Sequence, residues 1–202
     1  LIALLDEEEI DIDAYVRLIE RMVADISKKI TKDASKTDKL AALDQYLFQD
    51  NGFHGSRFDY YHRANSYLNR VIDDREGLPI TLSVLYIELG RRLGLTIDGV
   101  GLPGHFVVQH VDADKNTQLI DVFNEGKRLS REDAIKLVAE HSNQPFQDRY
   151  LEPVSKRLIV TRMLNNLMGL AQQKEDKESM LRYAELMMAL DSHSVQSRGM
   201  RA

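Results

Sequence analysis

Apolar residues recur at three- and four-residue steps along much of this chain, and those stretches predict its helices. Val16, Ile19, Val23, Ile26 and Ile30 line one face over residues 13–30, and Leu40, Leu43 and Leu47 do so over 36–48. Asn51-Gly52 supplies a stop for the second helix. Residues 53–64 are aromatic and loop-like, and a short helix is expected over 65–73. The stretch 80–93 is different, because Leu82, Leu85 and Leu89 line one side while Ile80, Val84 and Ile87 line another. A helix apolar over most of its circumference is packed on several sides, so this one is central. Pro79 suits its first turn, and Gly94 ends it behind Arg91 and Arg92.

Beyond Gly94 the period changes to two, predicting strands over 96–102, 105–111 and 118–123, the last two joined through the polar turn 112–116. Ser130 with Asp133 is a capping signal for a helix running to about His141. Pro145 and Pro153 bracket an irregular link. Leu158, Met163, Leu164, Leu167 and Leu170 then mark one helix, and Met180, Tyr183, Ala184, Met187 and Leu190 a second. Two short helices with a tight polar turn are either a unit of a helical repeat or an ordinary helical hairpin. The fold class expected is α+β: a central buried helix on a small antiparallel sheet, with helices before it and a helical hairpin after it.

Composition narrows the function classes. A chain of 202 residues with 43% hydrophobic and 29% charged residues is that of a globular protein holding one domain and part of another. No apolar run approaches the ~18 residues of a membrane span. Leu1 to Leu5 reads as the tail of an apolar helix in a trimmed chain and not as a signal peptide, since no basic segment precedes it. The net charge of −5, with Lys and Arg scattered among carboxylates, argues against a nucleic-acid partner. The absence of cysteine excludes disulfides, thiolate metal sites and thiol catalysis, and fits a cytoplasmic location. The acidic run from Asp6 to Glu9, with Asp11 and Asp13, reads as a solvated helix cap. No two of His54, His62, His110, His141 and His193 have metal-ligand spacing on one helix, so neither a metal nor another cofactor is expected.

Candidate chemistry gathers around the central helix. By alternation His105, Val107, Gln109 and Val111 share one sheet face, and Leu119, Asp121 and Phe123 share a face of the partner strand. An even register brings the Asp121 carboxylate to the His105 imidazole, fixing its tautomer. Gly104 permits close backbone approach to that ring. A helix start with unpaired N–H groups, a strand histidine and a neighbouring aspartate are the parts of a papain- or transglutaminase-type site. The same pair also serves as a plain structural hydrogen bond in many proteins. Thr81 and Ser83 are the hydroxyls near the helix start. Thr81 is the better candidate nucleophile and equally a hydroxyl that bonds local backbone. Tyr60-Tyr61, Phe53 and Phe58 form either a recognition surface or a loop packed on the core, and His54 and His62 stand beside them.

Several segments together carry a family resemblance. Gly52-Phe53-His54-Gly55, Asn65-Ser66-Tyr67-Leu68-Asn69, Arg75-Glu76-Gly77-Leu78-Pro79-Ile80-Thr81-Leu82-Ser83, Leu93-Gly94, Pro103-Gly104-His105-Phe106 and Asp121-Val122-Phe123 resemble the SirB-one family. That is the second type of transglutaminase-like core, found in bacteria and in a eukaryotic F-box protein. Arg162-Met163-Leu164-Asn165-Asn166-Leu167 and Arg198-Gly199 resemble its tetratricopeptide-like tail. The resemblance, over about residues 10 to 200, implies a papain-type core in 1–153 and the start of a truncated helical tail in 154–202. It places the family histidine at His105 and the aspartate at Asp121. It puts the cysteine among Pro79-Ile80-Thr81, where this chain has none.

The function expected is therefore that of a catalytically degenerate transglutaminase-like module binding a protein or peptide, in regulation or scaffolding. Pro79, Ile80, Gly104, Asn65, His54 and Tyr60 are its candidate binding residues. The alternative is a hydrolase or acyltransferase with Thr81 as nucleophile, His105 as base and Asp121 as its orienting partner.

Overall fold

The helical periods and the alternating stretches take their expected shapes in a computed structural model, which describes residues 2–7 and 9–191. His193 and the Arg198-Gly199 pair lie outside the described residues. In chain order the elements are α1 (Ile12–Ser27), α2 (Lys36–Asp44), β1 (His54–Gly55), α3 (Leu68–Asp74), β2 (Glu76–Gly77), α4 (Pro79–Arg92), β3 (Thr96–Val100), β4 (Val107–Val111), β5 (Thr117–Asp121), β6 (Lys127–Leu129), α5 (Arg131–His141), α6 (Lys156–Gln173) and α7 (Lys177–Asp191). They fall into two compact units: one takes in Asp11–Val154, the other the described residues up to Ile10 with those from Ser155 onward.

In the larger unit α1, α2 and α5 begin where the sequence provides a capping side chain. The Asp11 carboxylate accepts from Ala14 N at 2.9 Å to open α1, and Ser35 with Asp38 closes a capping box on α2. Beyond α2 the chain widens into a π-helical turn, Gln45–Asp50, where Asn51 N and Asn51 Nδ2 both donate to Tyr46 O; Leu47 and Phe48 there are buried. The most enclosed element is α4, with Leu82, Leu85, Tyr86 and Leu89 almost without solvent contact. With Ile19, Met22, Ile26, Leu43, Val71, Val108 and Ile120 they form the main core. The Tyr86 hydroxyl donates to the Asp44 carboxylate at 2.6 Å, and Arg128 pairs with that carboxylate, tying α2, α4 and β6 together. Burial pushes the Asp44 carboxyl up despite both partners.

The main sheet is antiparallel, in the order β3-β4-β5-β6. Its register pairs Gln109 with Leu119 and Val108 with Ile120, so one step further sets position 107 opposite Asp121. The β4–β5 turn is held by the Asp112 carboxylate, which accepts from Asp114 N, Asn116 N and Asn116 Nδ2. A second core lies under α5, where Ala134 and Val138 meet Val100, Leu102, Val107 and Leu129. Alternation does not reveal β6, nor the two-residue parallel pair of β1 with β2.

The smaller unit is a helical hairpin, with Leu164, Leu167, Ala171 and Tyr183 buried between its helices or beside them. Asp6 belongs to it. Its carboxylate meets Arg182 at 3.0 Å and the Tyr183 hydroxyl, leaving its side chain 7% exposed, so it is not part of a solvated cap. The architecture is α+β, with the central helix on a small antiparallel sheet as the patterning requires.

Candidate functional site

The candidate site starts at a turn. His105 N donates to Leu102 O at 3.2 Å, and Gly104 between them has φ +75. A β-carbon at Gly104 would stand 2.3 Å from His141 O, so the close backbone at this glycine comes from the end of α5. The turn delivers the His105 ring, 5% exposed, to Asp121, 1% exposed, with Nε2 3.1 Å from Oδ2. The strand expected over 105–111 begins only at Val107, opposite Asp121, so His105 reaches the carboxylate from the turn that precedes β4 and not from the strand itself.

Asp121 is fully engaged. Its Oδ1 accepts from Phe123 N at 3.1 Å and Asn124 N at 3.3 Å, and Oδ2 accepts from Asn124 Nδ2 at 2.7 Å. Burial alone would raise this carboxyl, but the bonds from His105 and Asn124 outweigh it and hold it below the ordinary carboxylate value. The His105 ring is boxed in by aromatics. His141 stacks on it at 5.4 Å with an interplanar angle of 15°, and Phe123 stands edge-on at 6.0 Å. Tyr60 in turn meets Phe123 edge-on at 6.2 Å.

At the start of α4, Thr81 is wholly buried and its hydroxyl is committed to backbone. It accepts from Leu78 N at 3.0 Å, and Asn65 O at 2.7 Å and Leu78 O at 3.1 Å are the acceptors in reach of its hydrogen. Among the described residues no hydrogen bond joins this hydroxyl to His105. Ser83 is also wholly buried, and its Oγ has no hydrogen-bond partner among the described residues.

The remaining sequence-derived candidates divide. Pro79 and Ile80 are buried in the first turn of α4. Asn65 is buried beside that turn and holds the aromatic loop through Nδ2, which donates to Asp59 O at 2.8 Å. Tyr60 is partly exposed, and burial of the rest pushes its phenol up. His54 is exposed on β1 and directs Nδ1 to the neighbouring Gly55 O, while His110 is pushed below the usual histidine value, chiefly by burial. Alternation already sets Phe123 beside Asp121, whereas His141 and Asn124 are contacts that periodicity does not bring out; for His141 the one sequence signal is Gly104, whose missing side chain makes room for it. No three of the described His, Asp and Glu residues are grouped to hold a metal ion.

Comparison with known proteins places this geometry in context. The family profile described as transglutaminase-like superfamily matches residues 13–165. The UPF0162 protein of Xylella fastidiosa (strain 9a5c) is 36% identical over 172 residues, covering 83% of this chain and 61% of that protein. F-box only protein 21 of Homo sapiens is 28% identical over 155 residues, covering 73% of this chain and 24% of that one. A crystal structure of a TGase, 18% identical, has a TM-score of 0.44 over 64% of this chain and 38% of its own. The chain thus spans 61% of the length of the Xylella relative.

Proposed function

We propose that this chain, which belongs to the transglutaminase-like superfamily, is a catalytically degenerate member of it that binds a protein or peptide. One observation carries the reading. The His105–Asp121 pair is kept, buried and boxed in by rings, while the start of α4 offers no thiol and its nearest hydroxyl is spent on Leu78 N and Asn65 O. An acyl-transfer site needs a nucleophile within reach of its base. A His–Asp pair without one still orders the loops around it, and an ordered loop surface serves recognition. The hairpin of α6 and α7 is, in this reading, the first unit of a tetratricopeptide-like tail, and regulation or scaffolding is the role such a module fulfils.

The competing reading is a hydrolase or acyltransferase with Thr81 as nucleophile and His105 as base. Turnover of activated esters and of glutamine peptides with an amine acceptor separates the two. The wild-type chain is expected to match the buffer rate. Turnover that Thr81→Ala and His105→Ala each abolish contradicts the degenerate reading.

A further inference from the structure

Near the start of α4 a cavity of about 240 Å³ is lined by Asp59, His62, Ala64, Asn65, Asp74 and Glu76. Three of these are carboxylates, and among the described residues none of the three side chains has an ion pair or hydrogen bond. Asn65, only 7% exposed, spends its amide hydrogens on Asp59 O at 2.8 Å and Tyr60 O at 3.4 Å. Asn65 itself lines the cavity, and its Oδ1 has no donor among the described residues. His62 accepts from Ala64 N through Nδ1 at 3.2 Å, which in the neutral ring places its hydrogen on Nε2. The wall is thus rich in acceptors and negative charge, and among the described residues no lysine or arginine lines it.

Such a wall calls for a cation bearing several N–H donors. A metal ion is the poorer match, because these side chains do not converge as a metal's ligands must. A guanidinium or ammonium group on a flexible stem suits acceptors that are spread out. The loop that supplies Asp59 also presents Phe58, completely exposed, and Tyr61, 65% exposed. Tyr60 anchors this loop, edge-on to Tyr61 at 5.3 Å and to Phe123. A small free cation leaves those rings in water, whereas a peptide covers them and adds cation–π contact. Phosphate-bearing partners are repelled by the carboxylates.

We infer that this cavity and the exposed rings of Phe58 and Tyr61 form a docking site for an arginine- or lysine-bearing segment of a partner protein, an inference that rests on the binding reading above. The basic side chain enters the cavity and apolar neighbours on the same segment lie against the rings.

Panning a random-sequence phage-displayed peptide library on the full chain tests this, followed by fluorescence-anisotropy titration of the most enriched peptides. Enriched sequences are expected to carry Arg or Lys beside apolar residues and to bind more weakly as salt rises. Affinity is expected to fall at least ~10-fold in D59N/D74N/E76Q and in F58A/Y61A. Thermal melting checks that each variant is folded; if the triple variant melts early, D74N and E76Q singly carry the comparison. Enriched peptides without a cation, or binding unchanged in the folded variants, overturn this site and leave the binding reading standing. A library from which no peptide binds the full chain overturns both.

Discussion

Phe123 fills the space that any side chain on Gly55 would need: a β-carbon there would stand 2.4 Å from its ring. The ring holds β1 on one side and the His105 imidazole on the other, so this glycine fixes how near the aromatic wall stands to the candidate site. Gly55→Ala is expected to cost about 1–3 kcal/mol through overpacking against this ring. In a Phe123→Ala background the same change is expected to be nearly free. Urea denaturation of the four chains of this double-mutant cycle checks it, and equal penalties in both backgrounds contradict the contact.

Gly104→Ala combines two faults, a left-handed backbone at φ +75 and a collision with the end of α5. The expected loss is about 2 kcal/mol or more. The imidazole resonances of His105 and His141 in NMR spectra are expected to shift together, because the change pushes apart the two stacked rings. A shift confined to His105 contradicts this coupling.

Asp121→Asn removes the charge that faces His105 while keeping the shape of the side chain. Nε2 of the buried ring then faces an amide in place of the carboxylate, and a buried polar group that loses its partner typically costs about 1–3 kcal/mol, while the isosteric amide keeps one acceptor for Phe123 N and Asn124 N. The pH dependence has a definite sign. The carboxyl ionises more readily folded than unfolded, so its contribution is whole above the ordinary carboxylate value of about 3.9. It is lost as pH falls through the depressed value. The stability gap between wild type and Asp121→Asn, measured by denaturation, is therefore expected to narrow only below about pH 4.

Thr81→Val keeps the volume and removes the hydroxyl that serves Leu78 N and Asn65 O. Leu78 N and Asn65 O keep a longer bond to each other at 3.3 Å, so losing the shorter bonds to the hydroxyl is expected to cost about 1 kcal/mol. Faster amide hydrogen exchange at Leu78 is the accompanying signature, and unchanged exchange there contradicts the assigned bond.

Much of this architecture is legible in the sequence for identifiable reasons. Leucines on one side of 80–93 and Ile80, Val84 and Ile87 on another announce a helix enclosed by others, and α4 is that helix. Strand parity sets position 107 opposite Asp121, since the turn at 112–116 keeps odd positions opposite odd positions, and the turn before β4 carries His105 to the same carboxylate. The rest lacks a local signal. Lys127-Arg128-Leu129 offers one apolar residue among two charges, and β1 and β2 are too short for any period to appear. Asp6 resembles part of a cap because its partners, Arg182 and Tyr183, lie far along the chain, whereas Asp11 does cap α1. His141 reaches His105 through tertiary packing at a helix end, which no spacing within α5 encodes.

Active-site labelling tests most directly whether this fold retains its His–Asp pair without the chemistry. The full chain, incubated with a fluorophosphonate that modifies activated hydroxyls and read by intact-mass spectrometry, is expected to keep its unmodified mass. A single adduct mapped to Thr81 or Ser83, and lost in His105→Ala, contradicts the account.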